Sequence, residues 1–492
     1  MTFSRIIVPA RTVRRPCLEA RMSAEIAPSQ PAFAAIRQLV TRLHFYVGLF
    51  VGPFLLVAAI TGTLYVLTPQ IENLLYRDQL VARTDGPARA LSEQIEAARA
   101  SIGEGPRLFA VRPAVASGLT TRVMFTQPDL GESETRTVFV DPASLAVQGE
   151  FITYGTSGIL PFRITLDYLH RNLLLGDIGR HYSELAASWL WISVLGGLLL
   201  WYWQRSTKRP KAAKVTASAR ARRLHMLIGL WTALGLLFLS ATGLTWSRWA
   251  GGNIDVFRTE VGWVTPAITT ALNPEAEAPV LGEHAAHGMG GSVDTAPPVA
   301  ERDMVARFDG VVASARAAGI DSPMIEIRPP RTVGQAFRVS EYDRSWPTQV
   351  DTIAVDPTDF KVTSRADFET FPIVAKLIRW GIDAHMGVLF GVANQVLMAA
   401  LGIALTAMIV YGYRMWWLRR PAPGGSPRTL IRSFSYLSPV AKVSALCVAV
   451  VFGVALPVMG VSLLVFMLVD FFRAALAEMM AADQRKMPPG MR

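Results

Sequence analysis

Residues 42–62 read RLHFYVGLFVGPFLLVAAITG, and residues 223–243 read RLHMLIGLWTALGLLFLSATG. His44 and His225 each open an apolar run. Gly48-Leu49 and Gly229-Leu230 follow four residues on, and Thr61-Gly62 and Thr242-Gly243 stand near the far ends. The segments after them also correspond. Asp141-Pro142 precedes His170 by the interval that separates Asp356-Pro357 from His385, and Gly176 and Gly391 each lie six residues past their histidine. The chain has 7 histidines in 492 residues, so four at matched places in a repeated apolar pattern point to paired metal ligation. Two axial imidazoles suit low-spin haem iron and leave no open coordination position, which favours electron transfer. A repeated structural motif without metal is the alternative, because duplication copies structure as readily as function.

The chain is 51% apolar and 18% charged, with a mean hydropathy of +0.31. That balance excludes an ordinary soluble protein of this length. Apolar runs long enough to cross a bilayer lie at 45–67, 186–203, 226–246, 388–413 and 440–469. The last has Pro457 inside it and reads either as one long span or as a hairpin kinked there. The expected partition is a tail at 1–34, spans within 35–69, 161–204, 222–248, 369–415 and 437–470, external domains at 70–160 and 249–368, basic loops at 205–221 and 416–436, and a tail at 471–492. Arginines and lysines cluster before the first span and in both basic loops, so these sides are expected in the cytoplasm of a bacterial inner membrane, with the N-terminus inside and two large domains in the periplasm. The formal charge of +11 then reflects topology and attraction to lipid headgroups rather than a nucleic-acid partner. Cys17 and Cys447 are too far apart to suggest a disulfide framework.

Both external segments read as small α+β units. The first has a helix at 88–102 and strands at 107–113, 121–126, 136–140 and 145–149. The second has a helix at 301–318 and strands at 324–328, 335–341, 350–355 and 360–364. Residues 251–298, rich in Gly, Pro and Ala, read as a loop. Amphipathic stretches at 162–170 and 373–383 lead to His170 and His385. Each copy is therefore span, domain, span, and two such copies pack most simply about an axis along the membrane normal. That places His44 opposite His225 on the cytoplasmic side and His170 opposite His385 on the outer side. From His44 to Gly62 a helix climbs about 27 Å, so two haems would stand near opposite faces of the bilayer.

Several residues join the expected sites. Gly48, Gly229, Gly176 and Gly391 leave room for a flat macrocycle. Arg42, Arg223, Arg163, Arg171 and Arg379 are candidates for haem propionates, with interfacial snorkelling as their simpler role. His181 is a possible substrate-side group. His284, His287 and Met289 have copper-like spacing in a loose loop. No nucleotide or flavin fingerprint follows a strand and opens a helix, so the electron donor is expected to be a quinol or a separate cytoplasmic reductase.

The motifs RLH at 42–44 with Gly48, LHRNLLLGD at 169–177, RLH at 223–225 and DAHMGVLFG at 383–391 resemble the PepSY-associated transmembrane family over roughly 35–415. The resemblance implies an inner-membrane protein with PepSY-like external domains on a parallel duplicated four-helix core, to which this chain adds a fifth C-terminal span. It is similar to di-haem ferric-siderophore reductases, whose two b-type haems would here be held by His44, His170, His225 and His385. The implied partners are the lipid bilayer and a ferric siderophore or other iron chelate. Two other readings compete: a non-enzymatic scaffold or sensor whose external domains bind a periplasmic partner, and a transporter built on parallel repeats.

Overall fold

The computed structural model describes residues 32–205, 216–273, 299–420 and 429–486. It consists of a helical bundle and one antiparallel sheet stacked on one end of it. Five helices are long and apolar enough to cross a membrane: 33–66, 176–205, 217–245, 392–419 and 457–476. The first is α1 (Ala32–Tyr46) and α2 (Gly52–Val66), joined by a π-helical turn over Val47–Val51. Pro53 begins α2 and has no N–H to continue the ladder. The wider turn before it absorbs the mismatch just past His44.

Short helices α3 (Thr68–Leu75), α4 (Arg77–Leu80) and α5 (Leu91–Ile102) lead to strands β1 (Arg107–Arg112), β2 (Thr121–Thr126), β3 (Glu134–Val140) and β4 (Val147–Tyr154). Helix α6 (Pro161–Asn172) carries His170 and leads into the second span, α7 (Gly176–Arg205). The third span, α8 (Ala217–Thr245), is followed by α9 (Trp249–Glu260). Next come α10 (Glu301–Val305), α11 (Phe308–Ala317), β5 (Ile325–Arg328), β6 (Phe337–Glu341), β7 (Thr352–Val355) and β8 (Val362–Ala366). Helix α12 (Ile373–His385) ends on its histidine and precedes the fourth span, α13 (Val392–Arg419).

The bundle buries Val51, Leu55, Ala59, Trp189, Leu190, Leu236, Leu405 and Ile409, contributed by all four of its long helices. Large apolar side chains such as Trp231, Leu234, Val396 and Ile403 remain on its outside, where lipid is their natural solvent.

The external segments were expected to make two separate sheets. They make one, in the order β4-β3-β2-β1-β5-β6-β7-β8. The two four-stranded meanders meet edge to edge at Val111↔Ile327, so neither exposes β1 or β5 as a free edge. Alternation along each strand divides the faces. Val111, Val123, Phe125, Val138, Ile327, Phe337, Val339 and Ile353 pack under α5, α10 and α11. Arg112, Arg122, Arg328 and Arg338 fall on the other face, towards the bundle, where Phe151 of β4 meets Tyr76, just past α3, at 4.9 Å between ring centres.

Two expectations need correction and one alternative is decided. The run at 440–469, which read either as one long span or as a hairpin kinked at Pro457, is the hairpin: α15 (Pro439–Ala455) and α16 (Pro457–Lys486) fold back at Leu456. Gly453 and Gly460 touch at the bend, where a Cβ on Gly453 would lie 3.3 Å from the Gly460 Cα. Proline at 457 cannot continue the first helix, and glycines on both sides let the two close. The loop expected from 251 begins as helix α9. Its first amides, Trp249 N and Ala250 N, donate to the buried Glu184 carboxylate of α7 at 2.9 and 3.1 Å. A cap supplied from another helix leaves no local signature. The helix expected at 301–318 is broken between α10 and α11.

Candidate metal centres

The bundle brings the four matched histidines together in two pairs. The rings of His44 and His225 lie 6.3 Å apart between centres at an interplanar angle of 82°. Those of His170 and His385 lie 6.5 Å apart at 65°. One ion held between two imidazoles sets their centres about 6.4 Å apart, from metal–nitrogen bonds of about 2 Å and about 1.2 Å from nitrogen to ring centre. Both pairs have that spacing.

The hydrogen bonds behind the rings are equally consistent. His44 Nδ1 is 3.0 Å from the Ser193 carbonyl oxygen of α7, and His225 Nδ1 is 2.8 Å from that of Met408 in α13. Carbonyls only accept, so both rings carry the proton on Nδ1. In the outer pair, His170 Nδ1 lies 3.0 Å from Thr61 Oγ1, and His385 Nδ1 lies 2.6 Å from Thr242 Oγ1. Each hydroxyl donates its own proton four residues back, to Val57 O at 2.7 Å and Phe238 O at 2.8 Å. Each is therefore left to accept from the imidazole. The hydrogen bonds at these rings all involve Nδ1, which leaves every Nε2 lone pair available to a metal. Metal-ligating histidines are oriented in this way.

Among the described residues, no group of three or more His, Cys, Asp or Glu is placed to hold a metal ion. Two protein ligands without a third do not make a zinc site. They suit an iron whose remaining positions are filled by a macrocycle.

The glycines divide by role. A Cβ at Gly48 would meet nothing within 4 Å, whereas one at Gly229 would lie 3.1 Å from Met408 Sδ. Gly176 and Gly391 hold left-handed backbone, φ 58° and 64°, where α7 and α13 begin. The turns themselves therefore call for glycine there. The glycines that abut the rings are others. A Cβ on Gly197 would come 3.3 Å from His44 Cε1, on Gly412 3.7 Å from His225 Cε1, on Gly62 3.1 Å from His170 Cε1, and on Gly243 3.9 Å from His385 Cε1. Gly197 and Gly412 went unnoticed in the sequence, although they are separated by the same 215 residues as His170 and His385.

The arginines are less regular. Arg163 is 9% exposed and lies over the Tyr65 ring at 4.3 Å. Its Nε and Nη2 are buried without a hydrogen-bond partner. Such an orphan is what a carboxylate of a bound group would satisfy. Arg171 donates to Tyr154 Oη at 2.7 Å, and its Nε, buried without a hydrogen bond, lies 3.9 Å from the Asp167 carboxylate. Arg379 bonds Asp383 at 3.1 Å, and Arg344, which the sequence did not single out, pairs with the same carboxylate at 2.9 Å. Arg42 and Arg223 stand two residues before their histidines, a separation that turns them to the other side of the helix.

His181 is engaged outside the pairs. Its Nδ1 is 3.0 Å from Ile178 O, and its Nε2 accepts from Trp249 Nε1 at 3.2 Å, joining α7 to α9. His284, His287 and Met289 lie outside the described residues.

Above the outer pair, Arg112 bonds Glu326 through Nε at 2.8 Å, and Arg328 bonds the same carboxylate at 2.6 Å. Burial opposes its ionisation, but Arg328 and Arg112 outweigh that and hold the Glu326 carboxyl down at about 2. Arg338 is pushed down to about 10 by burial and by neighbouring Arg328.

No curated protein matches the chain. The family model described as the PepSY-associated TM region matches residues 41–419, which hold all four paired histidines. The chain therefore belongs to the PepSY-associated TM family.

Proposed function

We propose that this protein is a di-haem b electron-transfer protein of a bacterial inner membrane that reduces a ferric chelate, such as a siderophore, on the sheet side. His44 and His225 would hold one haem near the cytoplasmic face, and His170 and His385 the other near the periplasmic face. Bound there, the groups would supply one-electron transfer with both axial positions filled. The observation that carries this reading is that all four Nδ1 atoms are tied by hydrogen bonds, which leaves the Nε2 atoms for a metal, while the paired rings stand at the spacing of a shared ion.

The chain's own residues support the rest. Basic loops between the second and third and between the fourth and fifth spans favour a cytoplasmic N-terminus. The eight-stranded sheet, which we read as two PepSY-like domains of a duplicated protein, then lies in the periplasm. Its face towards the bundle carries Arg112, Arg122, Arg328 and Arg338 against the single carboxylate of Glu326. This field draws an anionic chelate towards the outer histidines. Outer-sphere reduction needs no general acid or nucleophile at that face. The electron donor is a quinol or a separate cytoplasmic reductase.

An absorbance spectrum of the detergent-purified protein before and after dithionite tests the proposal. A reducible bis-imidazole b-type spectrum is expected, lost when all four histidines are replaced by alanine. An unchanged spectrum in that quadruple variant overturns the assignment.

A further inference from the structure

The helical hairpin of α15 and α16 lies outside the family match and has no counterpart in the other half of the bundle. Its buried polar anchor is a carboxylate. Asp470 of α16 has no solvent-accessible surface. It accepts a short hydrogen bond from Tyr46 Oη and another from the Ile431 amide at 2.9 Å, in the short helix α14 (Leu430–Ser435) before the hairpin. Phe466, one turn earlier on α16, packs between Phe50 and Trp189 with ring centres at 5.6 and 5.5 Å. Trp189 Nε1 donates to Ser462 Oγ at 2.8 Å. The hairpin thus lies along α1 and α7, the helices that supply His44 and its Ser193 carbonyl.

Tyr46 is two residues past His44, about 3 Å further along the helix axis. Asp470 therefore sits at the depth of the His44–His225 pair, across the thickness of one helix. The counterpart of Tyr46 in the second copy, by the 181-residue interval from His44 to His225, is Leu227, which is 46% exposed on the outside of the bundle. The first copy alone carries this carboxylate.

Both oxygens of Asp470 accept hydrogen bonds, the pattern of an ionised group. Two cations face the same tyrosine. Arg473 Nη1 is 3.5 Å from Tyr46 Oη, and Arg42 contributes its charge from α1. Arg473 is exposed and Arg42 half-buried, so both are screened more than the enclosed carboxylate. At the outer pair there are again two cations for each carboxylate, but none of them is exposed. Asp383 is shared by Arg344 and Arg379, Asp167 lies 3.9 Å from Arg171, and Arg163 adds a further cation on α6.

Resting on the di-haem reading above, we infer that Asp470 lowers the potential of the haem held by His44 and His225 below that of the haem held by His170 and His385, so that electrons run downhill towards the sheet. A buried negative charge favours the ferric state, which carries one more positive charge than the ferrous state. Low dielectric makes that preference felt across a helix. The hairpin thereby acts as a tuning element for one of two otherwise matched centres. Asp470 is a positioning residue in this scheme, since it touches neither histidine.

Potentiometric titration of the full chain in lipid nanodiscs, followed by absorbance, tests this. A His385→Ala background isolates the inner centre and His44→Ala the outer. Asp470→Asn keeps an oxygen for Tyr46 but removes the charge. It should change the oxidised-to-reduced ratio of the inner centre at fixed potential at least threefold towards reduced, about 30 mV at 59 mV per decade. The outer centre should not move. Tyr46→Phe keeps the charge and should not raise the inner potential. Arg473→Gln, at an exposed position that does not endanger folding, should lower it by a smaller factor. Equal shifts from Asp470→Asn and Tyr46→Phe would show that packing rather than charge is at work and would overturn the inference. So would an unmoved inner potential in Asp470→Asn or, should that variant not fold, in Arg473→Gln. Protein without haem would instead remove the di-haem reading itself.

Discussion

The bundle repeats itself down to the partners of its histidines, whereas the sheet above it repeats its strands and arginines but not its one central carboxylate. In the bundle, each histidine of one half has its counterpart in the other, down to the acceptor of its Nδ1 proton: Ser193 answers Met408, and Thr61 answers Thr242. In the sheet, Arg112 and Arg122 answer Arg328 and Arg338 at a constant 216 residues, but the counterpart of Glu326 is Ala110. The ring pairs need two-fold balance because each would hold one ion between two equal ligands. A lone carboxylate at the seam is under no such demand, and it ties both central arginines to one point across the junction of the two meanders.

The largest expected effect tests that asymmetry. Glu326→Ala leaves the buried Arg112 and the half-buried Arg328 without their anion, which should cost about 3–5 kcal/mol of stability in chemical denaturation followed by sheet-specific fluorescence. The pH dependence has a definite sign. With the folded-state value of Glu326 at about 2 against 4.5 for an ordinary glutamate, its contribution is complete above about pH 4.5 and is lost as pH falls towards 2. Glu326→Gln should flatten that part of the acid-unfolding profile.

The next effect tests the balance within the bundle. Thr61→Val and Thr242→Val each remove the hydroxyl that orients an outer histidine, and each should weaken haem retention at that level about 10–100-fold. Haem content per chain during detergent washing reports it. The two variants should agree, and the inner centre should be spared in both. A large difference between them would break the equivalence of the halves.

The smallest effect sharpens it. Gly412→Ala meets the His225 ring at an ordinary contact distance and should stabilise its helix by up to about 1 kcal/mol. Gly197→Ala presses on His44 Cε1 at 3.3 Å and should gain less, as judged by thermal melts of the two variants side by side.

Much of this was legible beforehand for a physical reason. Spans, strands and interfacial helices announce themselves by periodicity. The strands expected at 107–113 and 121–126 form at Arg107–Arg112 and Thr121–Thr126, and the stretch ending in His385 is helical as its pattern requires. The pairing of the histidines was also inferable, since two parallel copies about one axis bring equal residues face to face. The inner second shell was not. Ser193 and Met408 act through backbone carbonyls, which every residue type has, so nothing in their side chains marks them. The orphaned guanidinium of Arg163 was expected as a cation, but that its partner is missing is visible only in three dimensions.

The amino-acid sequence by itself determined that this chain has spans apolar enough to cross a membrane, that it carries a repeated pattern and which four imidazoles occupy matched places in it, because hydrophobic length, spacing and residue chemistry are local properties. Only the tertiary structure decided that the two meanders close into one sheet, that the last apolar run turns back at Leu456, that α9 is capped from a neighbouring helix and that Asp470 lies beside one histidine pair and not the other. Each of these depends on which distant groups share a buried space, and burial belongs to the packed molecule rather than to any stretch of its chain.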